Sequence, residues 1–514
     1  NANTTGDYNT ACGYSALELN TTGAYNTAVG HKSLEANTTA NLNTGVGYLA
    51  LKSNTTGSSN TALGAEALES NTTGAQCTAV GLRALEGNTT ANYNTAIGSQ
   101  ALQANTTGDL NTAIGLQALE ANVSGTRNTA CGVESLQANL ASNNTAFGRR
   151  ALKANTTGTT QVAVGQGALE TVTTSSGNTA VGCNALNLNV GQQNTAVGDG
   201  AMQLNTSASY LTAVGYQALY NNTTGVRNVA IGYQSLSTNQ TGGSNTACGY
   251  EALELNTGDG NSAFGNDALR NNTSGEKNTA LGNEALENNT TASFNTAVGH
   301  HSLTTATTAT QNTACGETAL ELCTTGSYNA AVGKGAGQNV TTGERGAFLG
   351  RVAGNDITTG NNNVCIGESA GRSTSPGGII TTGSNNIVLG NNDHTYFACR
   401  ISLSVTSDER DKTDIKDFTP GLSWINKLRP VTYHWDKRSA YSDDLSVVPD
   451  GTHKESKLNI GLIAQEELEV EKEHGYGDDR DNMLITDLSE DGNHFSMKYE
   501  RLVPVLVNAI KELS

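Results

Sequence analysis

The sequence predicts a mainly β protein: a parallel β-solenoid shaft of 17-residue coils, followed by a small α+β domain. Three observations carry that prediction. The signature Asn-Thr-Ala-Val-Gly recurs in 23 copies, its first position running from residue 9 to residue 386, mostly in steps of 17. The composition is skewed toward small residues, with 59 Gly, 5 Pro and 5% aromatics in 514 residues. Beyond about residue 395 the text changes, and only there do Trp424 and Trp435 and four of the prolines occur.

Each part of the repeat has a reading of its own. In residues 26–42, NTAVGHKSLEANTTANL, Thr27-Ala28-Val29 is a β-prone run closed by Gly30. Ser33-Leu34 is a second short apolar patch, and Asn37-Thr38-Thr39 is a polar turn. Seventeen residues are too few for two packed helices, but they suffice for one coil with two or three short strands. Stacked coils then place like residues above one another at ~4.8 Å, for a rod of roughly 100 Å. Ala at the third and eighth positions lets the walls approach. Val, Ile or Leu at the fourth (Val29) and Leu at the ninth (Leu34) are expected to fill the narrow core. Gly at the fifth suits positive φ or close backbone approach. Residues 1–375 contain no Pro, as expected where nearly every amide donates to a neighbouring coil.

Three intervals contract to 16 residues (128 to 144, 178 to 194 and 245 to 261), and the last expands to 23, admitting Pro376-Gly377-Gly378. Cys12, Cys131, Cys248 and Cys315 occupy the fourth position and read as small buried hydrophobes. Asn20, Asn37, Asn54, Asn71, Asn88, Asn105, Asn222 and Asn289 are formal glycosylation acceptors. A turn ladder of Asn needs the same residues, and glycans every ~5 Å would collide.

The net charge of −18 argues against nucleic acid and anionic membrane as main partners. No apolar run approaches the ~20 residues that span a bilayer, so no membrane insertion is expected. The opening Asn1 falls inside a repeat-like stretch, and the chain reads as a fragment or processed product. No cofactor and no metal are expected. The glycines follow the coil period rather than a phosphate loop, the eight His are scattered, and Asp478-Asp479-Arg480-Asp481-Asn482 lacks calcium-loop spacing.

The boundaries follow: shaft 1–395, linker strand 396–406, terminal domain 407–514. In the last region, residues 401–405 alternate like a strand and 420–428 look helical. Residues 431–435 read as a strand, 458–464 as a buried strand and 501–513 as an apolar-striped helix. Residues 442–457 and 474–493 are polar and read as loops.

Four segments here carry a resemblance. They are Ser407-Asp408-Glu409-Arg410-Asp411-Lys412, Leu428-Arg429-Pro430 through Trp435, Gly461-Leu462-Ile463-Ala464-Gln465-Glu466, and Tyr499-Glu500-Arg501-Leu502 with the helix after it. In this order they resemble the endosialidase-type intramolecular chaperone domain at the ends of phage and viral fibres. The shaft signature is similar to the head repeats of trimeric autotransporter adhesins, whose period is shorter. The resemblance implies a homotrimer whose terminal domain aligns three chains, sets register for fibre folding and then cuts itself off. It makes Ser407 the nucleophile and Lys412 its base, with cleavage between Thr406 and Ser407. Lys can act as a base only if desolvation lowers its pKa from ~10.4.

Five residues apart, Ser407 and Lys412 meet on neither strand nor helix, so a turn or a contact across chains is required. Asp411 stands where the family usually has an apolar residue, and its carboxylate could hold Lys412 charged. By the same resemblance the protein would be a structural and attachment fibre on a virion or otherwise extracellular, meeting a host receptor or glycan. The alternative is a bacterial or cellular surface adhesin with a retained trimerisation cap.

Overall fold

The structure is a computed structural model that describes residues 3–375, 377–394, 396–398, 400, 405–442, 446–490 and 492–514. The chain divides into two compact units, residues 1–294 and 295–514.

The first unit is repeat throughout. Seventeen strands of three residues, β1 (Thr10–Cys12) to β17 (Thr279–Leu281), fall at the predicted signature positions. Each pairs in parallel with the next, and like residues face one another. Thr27 opposes Thr44 and Val29 opposes Val46 where β2 (Thr27–Val29) meets β3 (Thr44–Val46). The 16-residue intervals keep this register, with Thr129 opposite Thr145 and Thr246 opposite Ser262.

Which face points inward differs from the expectation. Ala28 and Leu34 are fully buried, as predicted, but Val29 is 37% exposed. Leu63, Ile97, Ile114, Phe147, Ile231 and Phe264 at the same position are exposed too. Alternation along the strand explains it: if the middle residue points in, its neighbours point out. The coil is so narrow that Ala, Leu and Asn side chains fill it. The fourth position therefore forms an outward apolar stripe, and the cysteines on it are not buried hydrophobes. Cys12 and Cys315 are exposed, and Cys131 and Cys248 intermediate.

A second correction concerns strand number, because each coil holds one strand rather than two or three. Around Ser33-Leu34 the backbone alternates in hand, with Lys32 at φ 57° and Leu34 at φ 53°. The amides of alternate residues consequently point to opposite neighbours. The Lys32 amide donates to Tyr14 O at 2.8 Å and the Leu34 amide to Ala50 O at 3.0 Å. The corner is bonded to both adjacent coils without extended geometry, which satisfies its backbone groups. The left-handed Leu costs conformational energy, and burial of its side chain offsets that.

The fifth-position glycine behaves as expected. Gly30 has φ +136°, and a Cβ there would lie 2.3 Å from Gly47 O. The Asn ladder is also observed. Asn37 is buried, and its Nδ2 donates to Asn20 Oδ1 at 2.8 Å and to Ala40 O at 3.1 Å. Asn20, Asn54, Asn71, Asn88, Asn105, Asn222 and Asn289 are buried in the same way, so a glycan on any of them would break the rung. In the 16-residue coils the missing residue comes out of this turn. Asn139 Nδ2 reaches Ala141 O, two residues on instead of three, at 2.7 Å.

The second unit opens with six more coils, β18 (Thr296–Val298) to β23 (Ile387–Leu389). Its interior is repacked. Phe348 replaces the usual buried Ala and remains 2% exposed. Glycines make the room: a Cβ on Gly354 or Gly346 would lie 2.3 Å from the Phe348 ring. The expanded 23-residue interval still ends in register, with Val364 opposite Ile387.

The same unit ends in the α+β part. It contains α1 (Leu422–Ile425), β24 (Val431–Tyr433), β25 (Asn459–Gly461), α2 (Ala464–Glu473), β26 (Thr486–Leu488), β27 (Phe495–Met497) and α3 (Leu502–Leu513). Two antiparallel pairs form, β24 with β25 and β26 with β27. Trp424 is the centre of the core, packed with Val470, Ile485, Leu502 and Val505. The helices at 420–428 and 501–513 and the strand at 431–435 occur where expected. The strand near 458–464 is shorter than expected and is not buried, since Ile460 is 79% exposed. The stretch 474–493 is not wholly loop, because it contains β26. The expected strand at 401–405 lies outside the described residues apart from Val405. Among the described residues, no helix is long and apolar enough to cross a membrane.

Candidate functional site

The site predicted from sequence is one tight turn. Residues Glu409–Asp411 form a 3-10 turn capped by Asp408, whose carboxylate accepts from the Arg410 amide at 2.9 Å. Asp408 also pairs with the Arg410 guanidinium at 2.6 Å, and the hydrogen bonds from Arg410 hold its carboxyl below the usual carboxylate range. The Lys412 amide closes the turn on Glu409 O at 3.1 Å.

The reversal places Lys412 Nζ 2.6 Å from Ser407 Oγ and 3.4 Å from Ser407 O. The turn required by the five-residue spacing is thus present within one chain. Thr406, Ser407 and Lys412 are all exposed. Asp411 is exposed as well, and Lys412 turns to Ser407 rather than to it.

The other three resembling segments converge on one another. Arg429 forms an ion pair with Glu466, linking the second segment to the third. The Leu462 amide donates to Tyr499 Oη at 3.0 Å, linking the third to the fourth. A Cβ on Gly461 would lie 2.7 Å from Tyr499 Oη, so this glycine admits the phenol. Helix α3 closes the unit: Glu512 accepts from the Leu422 amide at 2.9 Å, and Leu502, Val505 and Ala509 are buried.

Helix α2 is the element that sequence reasoning missed. It is strongly acidic, yet it turns two carboxylates inward, Glu467 at 1% and Glu471 at 0% exposure. Hydropathy periodicity cannot find a helix whose buried stripe includes acids. The acidic first turn, Glu466-Glu467, was the usable signal. Glu471 is satisfied by the Leu484, Ile485 and Thr486 amides at 2.8, 2.9 and 2.6 Å, which ties α2 to β26.

Glu467 accepts from Trp424 Nε1 at 2.8 Å, while its Oε2 has no hydrogen-bond partner. Burial, reinforced by the charge of Glu471 and only partly opposed by the Trp424 bond, pushes its carboxyl up to about 7. A raised folded pKa favours the protonated form. The stability it contributes is therefore complete below the ordinary value of 4.5 and lost as pH rises through about 7. Glu467→Gln is expected to flatten this fall, making the domain more stable than wild type above pH 7 but not at pH 4.5. Urea unfolding followed by tryptophan fluorescence measures it cleanly, since Trp424 and Trp435 are the chain's two tryptophans.

No curated protein matches the chain. Residues 407–476, 70 of the 514, match the family described as chaperone of endosialidase. The match includes Ser407, Lys412, Trp424, the β24–β25 pair and α2, and stops before β26. The chain therefore joins a long β-solenoid repeat shaft to a C-terminal chaperone-of-endosialidase domain.

Proposed function

We propose that the protein is a homotrimeric fibre whose terminal domain gathers three chains, sets their register and then releases itself. The observation that carries this reading is the junction. Interchangeable coils end at β23, and the family domain begins at Ser407, with the Lys412 ammonium on its hydroxyl. Because most coils pair through the same Thr, Ala and apolar rungs, a slip of one whole coil between chains costs little locally. Parallel assembly of such chains is slow and prone to aggregation. A globular trimer at one end resolves register once, and its removal leaves a kinetically stable fibre.

Two exposed apolar surfaces support association. One is the outward stripe of the shaft. The other is the outer face of α3, where Val503, Ile510 and Leu513 are 56%, 66% and 74% exposed beside Leu506 and Val507. Surfaces of this kind on a soluble chain mark contact sites.

For release, Ser407 Oγ attacks the Thr406 carbonyl carbon as the neutral Lys412 amine takes the hydroxyl proton. The acyl group moves from the Ser407 nitrogen, which is protonated, to its oxygen, and water then hydrolyses the ester. Covering of this exposed turn by a neighbouring chain would supply the desolvation that a neutral Lys needs, coupling the cut to assembly. The fibre would be displayed on a virion or otherwise extracellular surface, where it meets a receptor or glycan. Mass photometry of the chain held at full length by Ser407→Ala is the test of assembly: three times the 53.1 kDa chain mass is expected. A stable folded monomer overturns the reading.

A further inference from the structure

In several coils of the shaft, the amides of the turn after the buried Asn converge on a single carbonyl of the next coil. Thr324, Thr325 and Gly326 donate to Thr341 O at 3.0, 3.3 and 3.3 Å. The Thr324 hydroxyl adds a bond to the same oxygen at 3.2 Å. The pattern continues as Thr358 N donates to Thr381 O at 2.8 Å. At Thr381-Thr382-Gly383 the stack ends, because among the described residues no coil follows β23. The Thr381, Thr382 and Gly383 amides have no such carbonyl to meet, and uncapped amides are costly.

The carboxylate of Glu490, in the turn between β26 and β27, occupies that place. It accepts from the Thr381, Thr382 and Gly383 amides at 3.4, 3.1 and 2.7 Å. It also accepts from the Thr381 hydroxyl at 3.4 Å and from the Thr382 hydroxyl. These three amides are the ones that Thr324, Thr325 and Gly326 offer to the next coil, with a second hydroxyl added. Gly383 makes the space, since a Cβ there would lie 2.6 Å from Glu490 Oε2. Burial would raise the Glu490 carboxyl, but the bonds from the Thr382 hydroxyl and the three amides outweigh it and lower the pKa.

We propose that Glu490 is the terminal cap of the shaft, its carboxylate standing in for the carbonyl of a further coil and fastening the chaperone domain to the last one. This rests on the chaperone reading for its purpose, but not for its test. Hydrogen–deuterium exchange on the full chain, held uncut by Ser407→Ala in every variant, measures it at the amides of residues 381–383. Glu490→Ala is expected to speed exchange there at least about tenfold, because charge-assisted bonds are lost. Gly383→Ala, which expels the carboxylate, should do the same, and Glu490→Gln, which keeps an accepting oxygen, should fall between. Exchange in α3 and the fluorescence of Trp424 should not change, showing the domain still folded. Unchanged exchange at residues 381–383 in both alanine variants overturns the cap, whatever the oligomeric state. Failure of wild type to trimerise would instead overturn the chaperone reading, and the exchange result would still decide the cap.

Discussion

Ser407→Ala is expected to leave the chain at full length after assembly, where wild type is expected to release a fragment of about 12 kDa. The substitution removes the side-chain oxygen that Lys412 Nζ bonds among the described residues. With the attacking atom gone, the rate should fall at least about a thousandfold, while trimer formation persists. Lys412→Ala should slow release by about 10²–10⁴-fold by removing the base. Lys412→Arg should be no better, since a guanidinium stays protonated. Asp411→Leu should leave the cut intact or faster, because Lys412 does not depend on that carboxylate for its position. Denaturing gels and N-terminal sequencing of the fragment report all of these, with Ser407 as the expected first residue. If wild type remains uncut after assembly, the domain is a retained cap and the self-cleaving mechanism is wrong.

The second large effect contrasts two positions of one coil. Leu34→Asp places a charge in a fully buried site with no cationic partner, and it should cost several kcal/mol and disrupt the coil. Val29→Asp introduces the same charge five residues earlier, on a side chain 37% exposed, and should cost the folded coil under about 1 kcal/mol. If the outward stripe packs between chains, Val29→Asp should nevertheless block association, because the charge recurs in every chain at one level. Limited proteolysis reads the first effect and sedimentation the second. Equal damage from both substitutions in the monomeric shaft would contradict the inward direction of Ala28 and Leu34.

The two predictions also mark where sequence reading stopped. In Thr27-Ala28-Val29 both Ala and Val are apolar, and three residues are too few for alternation to say which is inside. The volume enclosed by the coil decides it, and that volume exists only once the corner at Lys32 and Leu34 has closed. Ser33-Leu34 reads only as an apolar patch, because apolar patterning cannot see a left-handed φ at a leucine. The room for Phe348 is another case, since Gly346 and Gly354 compensate it from neighbouring positions that only stacking brings together. In the terminal domain, α2 was hidden because its buried stripe contains Glu467 and Glu471.

What the sequence determined by itself was everything that periodicity carries: the 17-residue coil, the parallel in-register stack, the glycine at each fifth position, the Asn ladder and the end of the repeat. These follow from local backbone demands and repeat in every copy. The Ser407 and Lys412 pair was legible as two residue types in a familiar segment, though not as a contact. Only the tertiary structure decided that contact, the outward face of the fourth position and the meeting of Glu490 with the last coil. Each depends on a turn or packing partner whose position no spacing along the chain encodes.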